Sequence, residues 1–333
     1  MLLLLFLILL VIVVVIVVAS KPSTLTPMGA HVMITGGSSG IGLAIAKECA
    51  RLGGFVSIIA RNEKRLEEAK VEIEKVMKAG GEKQKVITIQ LDVAEDPEKV
   101  KTAIKQAEEK LGPVDFLFNC AGISHAQKFE DTDPEVFARV MKVNYLGTVY
   151  PTLAVVHGMK QRKQGRIIFT SSQAGQLGVF GYTAYSASKY ALRGLAETLH
   201  MEVKPHNMAV TMAFPPDTDT PGFHMENEGD LKPEETKIIS ETSGLHSADS
   251  VAKRIVCDAI KGEFLSTIGL EGFLLGQITS GMSPCNSTLS ALIQGTLLGL
   301  FRIVGLAFIR NFDSIVEKCA RKQEIEENSN KED

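Results

Sequence analysis

Short β-branched runs alternate with longer stretches of helical spacing from about Gly29 to Lys261, and nothing else in the chain restricts its fold as strongly. The runs are His31–Thr35, Phe55–Ala60, Val86–Asp92, Phe116–Asn119, Arg166–Ser171 and Ala209–Phe214. Helical periodicity fills Gly42–Leu52, Glu63–Lys78, Pro97–Leu111 and Thr183–Val203. Strand, helix and strand in repetition form a parallel sheet covered on both faces, an α/β, doubly wound architecture. Ligands of such sheets bind beyond the carboxyl ends of the strands, so chemistry is expected there.

The first run ends at Thr35 and is followed by Gly36-Gly37-Ser38-Ser39-Gly40-Ile41-Gly42, which leads into a helical stretch. Glycines permit a tight turn and a close approach of backbone to a pyrophosphate. The N–H groups that begin the helix are free to bind the anion. The second run ends at Ala60-Arg61-Asn62, where a site selective for NAD would place a carboxylate against the ribose 2′-hydroxyl. A guanidinium there suits a 2′-phosphate, which points to NADPH, with Arg65 one turn on as a second cation. The alternative leaves Arg61 solvated and gives the ribose to Glu63.

Tyr185 and Lys189 lie four residues apart in the Thr183–Val203 stretch, on one helical face. A phenol with a pKa near 10 is a poor acid-base group at neutral pH. A neighbouring ammonium favours the phenolate and is expected to draw that pKa toward the working range. The spacing alone is common on solvated helices, so the rest of the chain must decide its meaning.

The totals narrow the field. At 333 residues the chain suits one large domain with appendages, or two domains. A net charge of -3 without a basic block argues against nucleic acid as a partner. Cysteines 49, 120, 257, 285 and 319 form no Cys-x-x-Cys pair and read as reduced thiols facing the cytosol. No metal-ligand spacing is present.

Both ends are apolar. Leu2 to Ala19 carries no charge and is just long enough to span a bilayer. It starts directly with Leu, which favours an anchor; a signal cleaved at Val18-Ala19-Ser20 is the alternative. Lys21 is the first cation after the run, so the positive-inside rule places the bulk of the chain in the cytosol. Gly272 to Phe301 is free of charge, and Pro284-Cys285-Asn286 divides it into two hydrophobic helices, about Phe273–Met282 and Leu289–Ile309. The alternative is an interfacial hairpin or a dimer contact. Asn286-Ser287-Thr288 matches a glycosylation acceptor but sits between apolar segments. The tail from Arg310 is charged and expected to be a solvated, fraying helix. The organisation read from this is an anchor at 1–20, a catalytic domain at 29–265, membrane-associated segments at 270–310 and a tail at 311–333.

Taken in order, Thr35 to Gly42, Asn119-Cys120-Ala121-Gly122, Asn144, Ser172 and Tyr185-x-x-x-Lys189 resemble the short-chain dehydrogenase/reductase family, over about Gly29 to Lys261. The flanks Ser171–Gln176, Tyr182–Lys189 and Pro215–Phe223, with the hydrophobic ends, resemble its 3-ketodihydrosphingosine-reducing branch. One departure is Pro215-Pro216 where many members carry Pro-Gly; the second proline removes a backbone donor near the nicotinamide.

The resemblance implies a Rossmann-type domain binding NADPH, with Tyr185 as proton donor to a carbonyl and Ser172 as second donor. It implies Lys189 tuning Tyr185 and holding the ribose, and Asn144 supporting a water relay to Lys189. The cofactor would meet Gly36, Ser38, Ser39, Gly40, Ile41, Gly42, Arg61, Arg65, Asp92, Val93, Asn119, Tyr185 and Lys189. Asp92 would accept from the adenine amino group, and Asn119 would organise the loop after its strand. The implied substrate is a long-chain sphingoid keto base at the endoplasmic reticulum membrane, with the catalytic domain toward the cytosol. Membrane lipid and a second copy of the chain, as a homo-oligomer, are the other implied partners. Reduction of another lipophilic ketone, steroid or retinoid, is the alternative activity. The segment from Asp217 to His246 is expected either to close over the substrate or to form a polar surface loop.

Overall fold

The computed structural model describes residues 11–12, 22–77, 84–229, 231–241, 244–285 and 287–332. The expected anchor at 1–20 falls outside the described residues except for Val11 and Ile12, and so does Asn286 of the glycosylation match.

Each β-branched run is a strand. They are β1 (His31–Thr35), β2 (Phe55–Ala60), β3 (Val86–Gln90), β4 (Val114–Asn119), β5 (Gly165–Thr170) and β6 (Met208–Phe214). Two short strands, β7 (Thr218–Asp219) and β8 (His246–Ser247), pair only with each other. A three-residue strand, β9 (Leu265–Thr267), completes the main sheet and was too short to show in the residue pattern. The main sheet is parallel throughout, in the order β3-β2-β1-β4-β5-β6-β9. The order reverses between β1 and β4, and the crevice at such a switch point is where ligands sit.

The helices are α1 (Gly40–Arg51), α2 (Glu63–Glu74), α3 (Pro97–Leu111), α4 (Pro134–Met141), α5 (Gly147–Arg162) and α6 (Thr183–Val203). After β6 come α7 (Pro221–Glu228), α8 (Glu234–Glu241), α9 (Ala248–Lys261), α10 (Gly269–Ile278) and α11 (Thr288–Glu332). Local chemistry sets their starts. Asp96 accepts from Glu98 N and Lys99 N while Pro97 takes the first turn of α3, where a missing N–H does no harm.

Two apolar layers sandwich the sheet. One joins Ile34, Ile58, Phe116 and Phe118 to Ile45 of α1 and Ile255 of α9. The other joins Met33, Leu117, Ile167 and Phe169 to Ile104 of α3, Val155 of α5 and Leu192 of α6. Successive strand residues therefore feed opposite layers. Phe118 is fully buried, and truncating it to Ala should cost about 3–5 kcal/mol. Arg166 is also buried and donates from Nε to Ala259 O at 3.1 Å and from Nη1 to Gly165 O at 3.0 Å. Its guanidinium ties β5 to α9.

The C-terminal region matches the expected division into two helices and departs from the expected solvated tail. α10 packs against α11, and α11 runs for 45 residues without a break, so the tail continues the apolar helix. Its far half is docked: Cys319 is buried, Lys322 pairs with Glu234 of α8 at 3.2 Å, and Lys128 donates to Gln323 at 3.1 Å. Among the described residues, one helix is long and apolar enough to cross a membrane, at Thr288–Glu326, and the most apolar stretch of it is unburied.

Candidate active site

A cleft of about 740 Å³ opens beyond the carboxyl ends of β1, β2, β4, β5 and β6. Gly36, Ser38, Ser39, Gly40, Ile41, Gly42, Arg61, Arg65, Asp92, Val93, Ser172, Tyr185 and Lys189 all line it. Asn119 and Asn144 do not line it and stand behind its wall.

The glycine loop forms one end. Gly36 has φ +67, and a Cβ there would meet Ala121 N at 2.8 Å. A Cβ on Gly42 would fall 2.3 Å from Gly36 O, so the turn closes only around hydrogen. Ser39 stands at the N-cap of α1 without a side-chain capping bond, leaving the first-turn amides uncapped by it. At the end of β2 the Arg61 side chain is 68% exposed, with Asp92 at 3.9 Å as its nearest carboxylate. Asp92 uses its other oxygen to accept from Ala94 N at 3.0 Å. Asn62 caps α2 by accepting from Arg65 N at 2.9 Å.

Asn119 was expected to organise the loop after β4. Thr35 does that instead, its Oγ1 accepting from Cys120 N at 3.1 Å and Ala121 N at 3.2 Å. Asn119 turns inward and donates to Thr152 Oγ1 at 3.2 Å, which holds β4 against α5.

Asn144 sits in one wide π turn, Lys142–Leu146, wedged between α4 and α5. Such turns are frequent at functional sites because they rotate a side chain off the regular helical face. Asn144 accepts from Ile123 N at 2.8 Å, donates to Ile123 O at 2.9 Å and donates to Ser188 Oγ at 2.9 Å. It thereby clamps the Cys120–Ile123 loop to α6.

Tyr185 and Lys189 share the face of α6 that meets the cleft. Lys189 Nζ lies 5.5 Å from the Tyr185 ring centroid and donates to Thr170 O at 2.9 Å. Burial pushes the Lys189 ammonium down to about 8. Burial pushes the Tyr185 phenol up; a hydrogen bond with Ser172 opposes this, and the Glu226 and Asp217 carboxylates add to it. Lowering of Tyr185 by Lys189 was the expectation. Desolvation outweighs it, because the phenolate is disfavoured where the ring is buried and the Glu226 and Asp217 carboxylates add to that cost. A phenol that stays protonated is equipped to donate a proton.

Of the two adjacent serines, Ser172 makes the bond with Tyr185, while Ser171 is buried and donates to Lys189 O at 3.1 Å. Both serines line the cleft, and the expected choice of Ser172 is carried into the proposal below. His125 lines the cleft too, paired with Gln127 at 2.9 Å.

The Asp217–His246 segment is not a surface loop. It folds into β7, α7, α8 and β8 and supplies one wall of the cleft, with Thr220 against Gly40 of the glycine loop and Asp217, Phe223, Glu226, Lys232 and Ser240 facing the cleft. Phe312 of α11 lines the same cleft. The residue pattern carried one signal for it: Phe312, Ile315, Val316 and Cys319 continue an apolar stripe into the charged tail.

The short-chain dehydrogenase family model matches residues 30–230. This chain belongs to that family. Membership carries a nicotinamide cofactor, and the cleft fits one, with a glycine cradle that admits no Cβ at one end and a protonated phenol at the other. Among relatives of the family, a 3-ketodihydrosphingosine reductase of Bos taurus is 55% identical over 298 residues, covering 90% of this chain and 89% of its own. A 3-dehydrosphinganine reductase of Danio rerio is 54% identical over 303 residues, covering 91% and 90%. A 3-dehydrosphinganine reductase of Arabidopsis thaliana is 40% identical over 304 residues, covering 90% and 88%. Solved structures share the fold. A levodione reductase superposes with TM-score 0.65 at 22% identity, over 72% of this chain and 96% of that one. An NAD+-bound xylitol dehydrogenase gives 0.63 at 26% identity, over 70% and 93%.

Proposed function

We propose that this short-chain dehydrogenase reduces the 3-keto group of 3-ketodihydrosphingosine to dihydrosphingosine with NADPH. It does so at the endoplasmic reticulum membrane, with its catalytic domain toward the cytosol. The observation that carries the reading is the reach of α11. Its unburied apolar stretch includes Leu300, Ile303 and Phe308, and within one further turn Phe312 lines the catalytic cleft. A site joined to a membrane-compatible helix in this way suits a substrate that lives in a bilayer. The names of the relatives point to the same class of substrate.

The bound cofactor supplies the hydride. Tyr185 gives its phenolic proton to the carbonyl oxygen as negative charge grows there. Ser172 offers a second hydrogen bond to that oxygen, a donor worth about 3 kcal/mol when aimed at the developing charge. Lys189 holds the ribose hydroxyls and stabilises the phenolate left behind. Asn144 fixes the Ile123 loop and α6, and with Lys189 it returns a proton from solvent through water. At the far end Gly36 to Gly42 would cradle the pyrophosphate, Arg61 and Arg65, with Ser38, would hold the 2′-phosphate, and Asp92, next to Val93, would accept from the adenine amino group.

The test is NADPH oxidation at 340 nm by purified protein in detergent. Turnover of 3-ketosphinganine, lost in Tyr185→Phe, is expected. Turnover of a steroid or retinal substrate in its place would overturn the substrate assignment, and an unchanged rate in Tyr185→Phe would overturn the mechanism.

A further inference from the structure

One wall of the cleft holds charges that the proton transfer does not use. Tyr182 donates its hydroxyl to Glu226 Oε1, and its ring centroid is 5.4 Å from that of Tyr185. Glu226 is thus one ring away from the catalytic phenol. Lys232 Nζ lies 3.2 Å from the same Glu226 oxygen and donates to Asn227 Oδ1 at 2.8 Å; its side chain is 1% exposed. Asp217, three residues beyond β6, accepts from the Ser240 hydroxyl and has no ion-pair partner among the described residues. All of Tyr182, Asp217, Glu226, Lys232 and Ser240 line the catalytic cleft itself.

The charges do not balance. Lys232 matches Glu226, and Asp217 is left over. A half-buried carboxylate is unfavourable unless a cation or hydrogen bonds answer it. Asp217 has the Ser240 hydroxyl and feels Lys232 only from beyond ion-pair distance, while Lys232 itself is paired with Glu226; burial pushes the Asp217 carboxyl up. Arg61 and Arg65 lie at the other end of the cleft, beside the glycine loop, and Lys189, next to Tyr185, donates to Thr170 O. A 3-keto sphingoid base carries an ammonium on the carbon next to its ketone. With the ketone at Tyr185, that ammonium falls beside the catalytic phenol, and Asp217 and Glu226 are the carboxylates whose charges reach that phenol.

We infer that Asp217 receives the substrate's ammonium, with the Tyr182–Glu226–Lys232 array holding the wall in place, and that this contact selects an amino ketone over a neutral ketone. It rests on the substrate assignment above. One added positive charge brings the cluster to neutrality, and the hydrogen-bonded ammonium fixes which face of the ketone meets the donor. Phe223 and Phe312 are left for the alkyl chain.

The experiment compares 3-ketosphinganine with its desamino analogue, 1-hydroxyoctadecan-3-one, in the wild-type chain and in Asp217→Asn. The wild type is expected to prefer the amino ketone in kcat/KM. In Asp217→Asn the ratio of the two kcat/KM values should fall by about 30- to 100-fold, the range for a lost charge-assisted contact in a desolvated site, chiefly through KM. An unchanged ratio overturns the inference. Failure of the wild type to reduce 3-ketosphinganine is a different result and overturns the substrate assignment instead. If Asp217→Asn does not fold, inhibition of the wild type decides. Octadecylamine should compete with substrate at least about 10-fold more tightly than octadecan-1-ol, and equal inhibition overturns the inference.

Discussion

Asn144→Ala tests the claim that one buried amide holds the catalytic helix to the loop beside it. The amide makes three hydrogen bonds, two with the Ile123 backbone and one with Ser188. Ser188 keeps its bond to Tyr185 O at 2.7 Å, so the loss falls on Ile123. Each backbone group left unpaired costs about 1–3 kcal/mol, and Ile123 borders the cleft, where water can enter, so the lower half of that range applies. Two such groups give about 3 kcal/mol, or a fall in melting temperature of roughly 6–12 °C for a domain of this size. Activity should fall further than stability explains. A Cβ at Gly122 would lie 3.1 Å from Asn144 Oδ1 and 3.5 Å from Lys189 Nζ, so both side chains brace the same glycine. The expected drop in kcat is about 10- to 100-fold at a temperature where the variant is fully folded. The assays are thermal melting in detergent with NADPH absent and present, and NADPH oxidation with 3-ketosphinganine. Asn144→Asp is the companion. It places a carboxylate near Lys189 and should move the alkaline limb of the rate profile upward. A melting temperature within 2 °C of the wild type together with an unchanged kcat would refute the clamp.

Arg61→Ala should raise KM for NADPH by about 10-fold or more and leave that for NADH nearly as it was, since only the former carries the 2′-phosphate; equal losses with both count against the contact. The rate should decline as pH rises through about 8, where Lys189 loses its proton, and a flat kcat profile from pH 7 to 9.5 would contradict this assignment. The same shift has a stability sign. The folded value lies below the ordinary 10.5, so between about pH 8 and 10.5 the unfolded chain binds the extra proton and stability rises with pH. At pH 7 the burial penalty is fully felt, and Lys189→Met should melt higher than the wild type while losing turnover. Phe312→Asp should raise KM for the long-chain substrate at least about 10-fold and leave NADPH binding, read by fluorescence, unaltered.

The sheet was legible because its strands are buried on both faces and therefore β-branched in continuous runs. The long strands of the pattern became β1 to β6 within a residue or two, while β9 escaped because three residues carry no periodicity. The cofactor end was legible for a related reason, since a glycine loop after a strand has few other uses. The substrate end was not. Asp217, Glu226 and Lys232 read as ordinary solvated charges in a segment with Pro and Gly, and only the packing of α7 and α8 onto the cleft gives them a shared environment. Tyr182 is a rival to Tyr185 that spacing sets aside, since Ser186 and not a lysine stands four residues on, yet it links Glu226 to the catalytic ring. The π turn at Asn144 was also invisible, because a one-residue widening of a helix leaves no mark on hydrophobic spacing. The direction of the Tyr185 shift required knowing its burial, which spacing alone does not supply.

α11 couples the two problems that a lipid reductase must solve. Withdrawing an alkyl chain from a bilayer into water costs about 0.8 kcal/mol for each methylene, so a chain of about fifteen carbons would cost roughly 12 kcal/mol. No cleft of this size recovers that from contacts with a carbonyl and an ammonium alone. The helix makes the transfer unnecessary. Ile309 ends its unburied apolar stretch and Phe312 lines the cleft, three residues or about 4.5 Å along the axis. A chain that slides along that face exchanges lipid for protein without meeting water, and only its polar head need leave the interface. With α11 in a bilayer, as proposed, the docked far half, held by Cys319 and by the Lys322–Glu234 and Lys128–Gln323 contacts, would fix the cleft's height above the lipid. Binding energy is thereby reserved for the polar end, where Asp217 and Tyr185 distinguish one ketone from another.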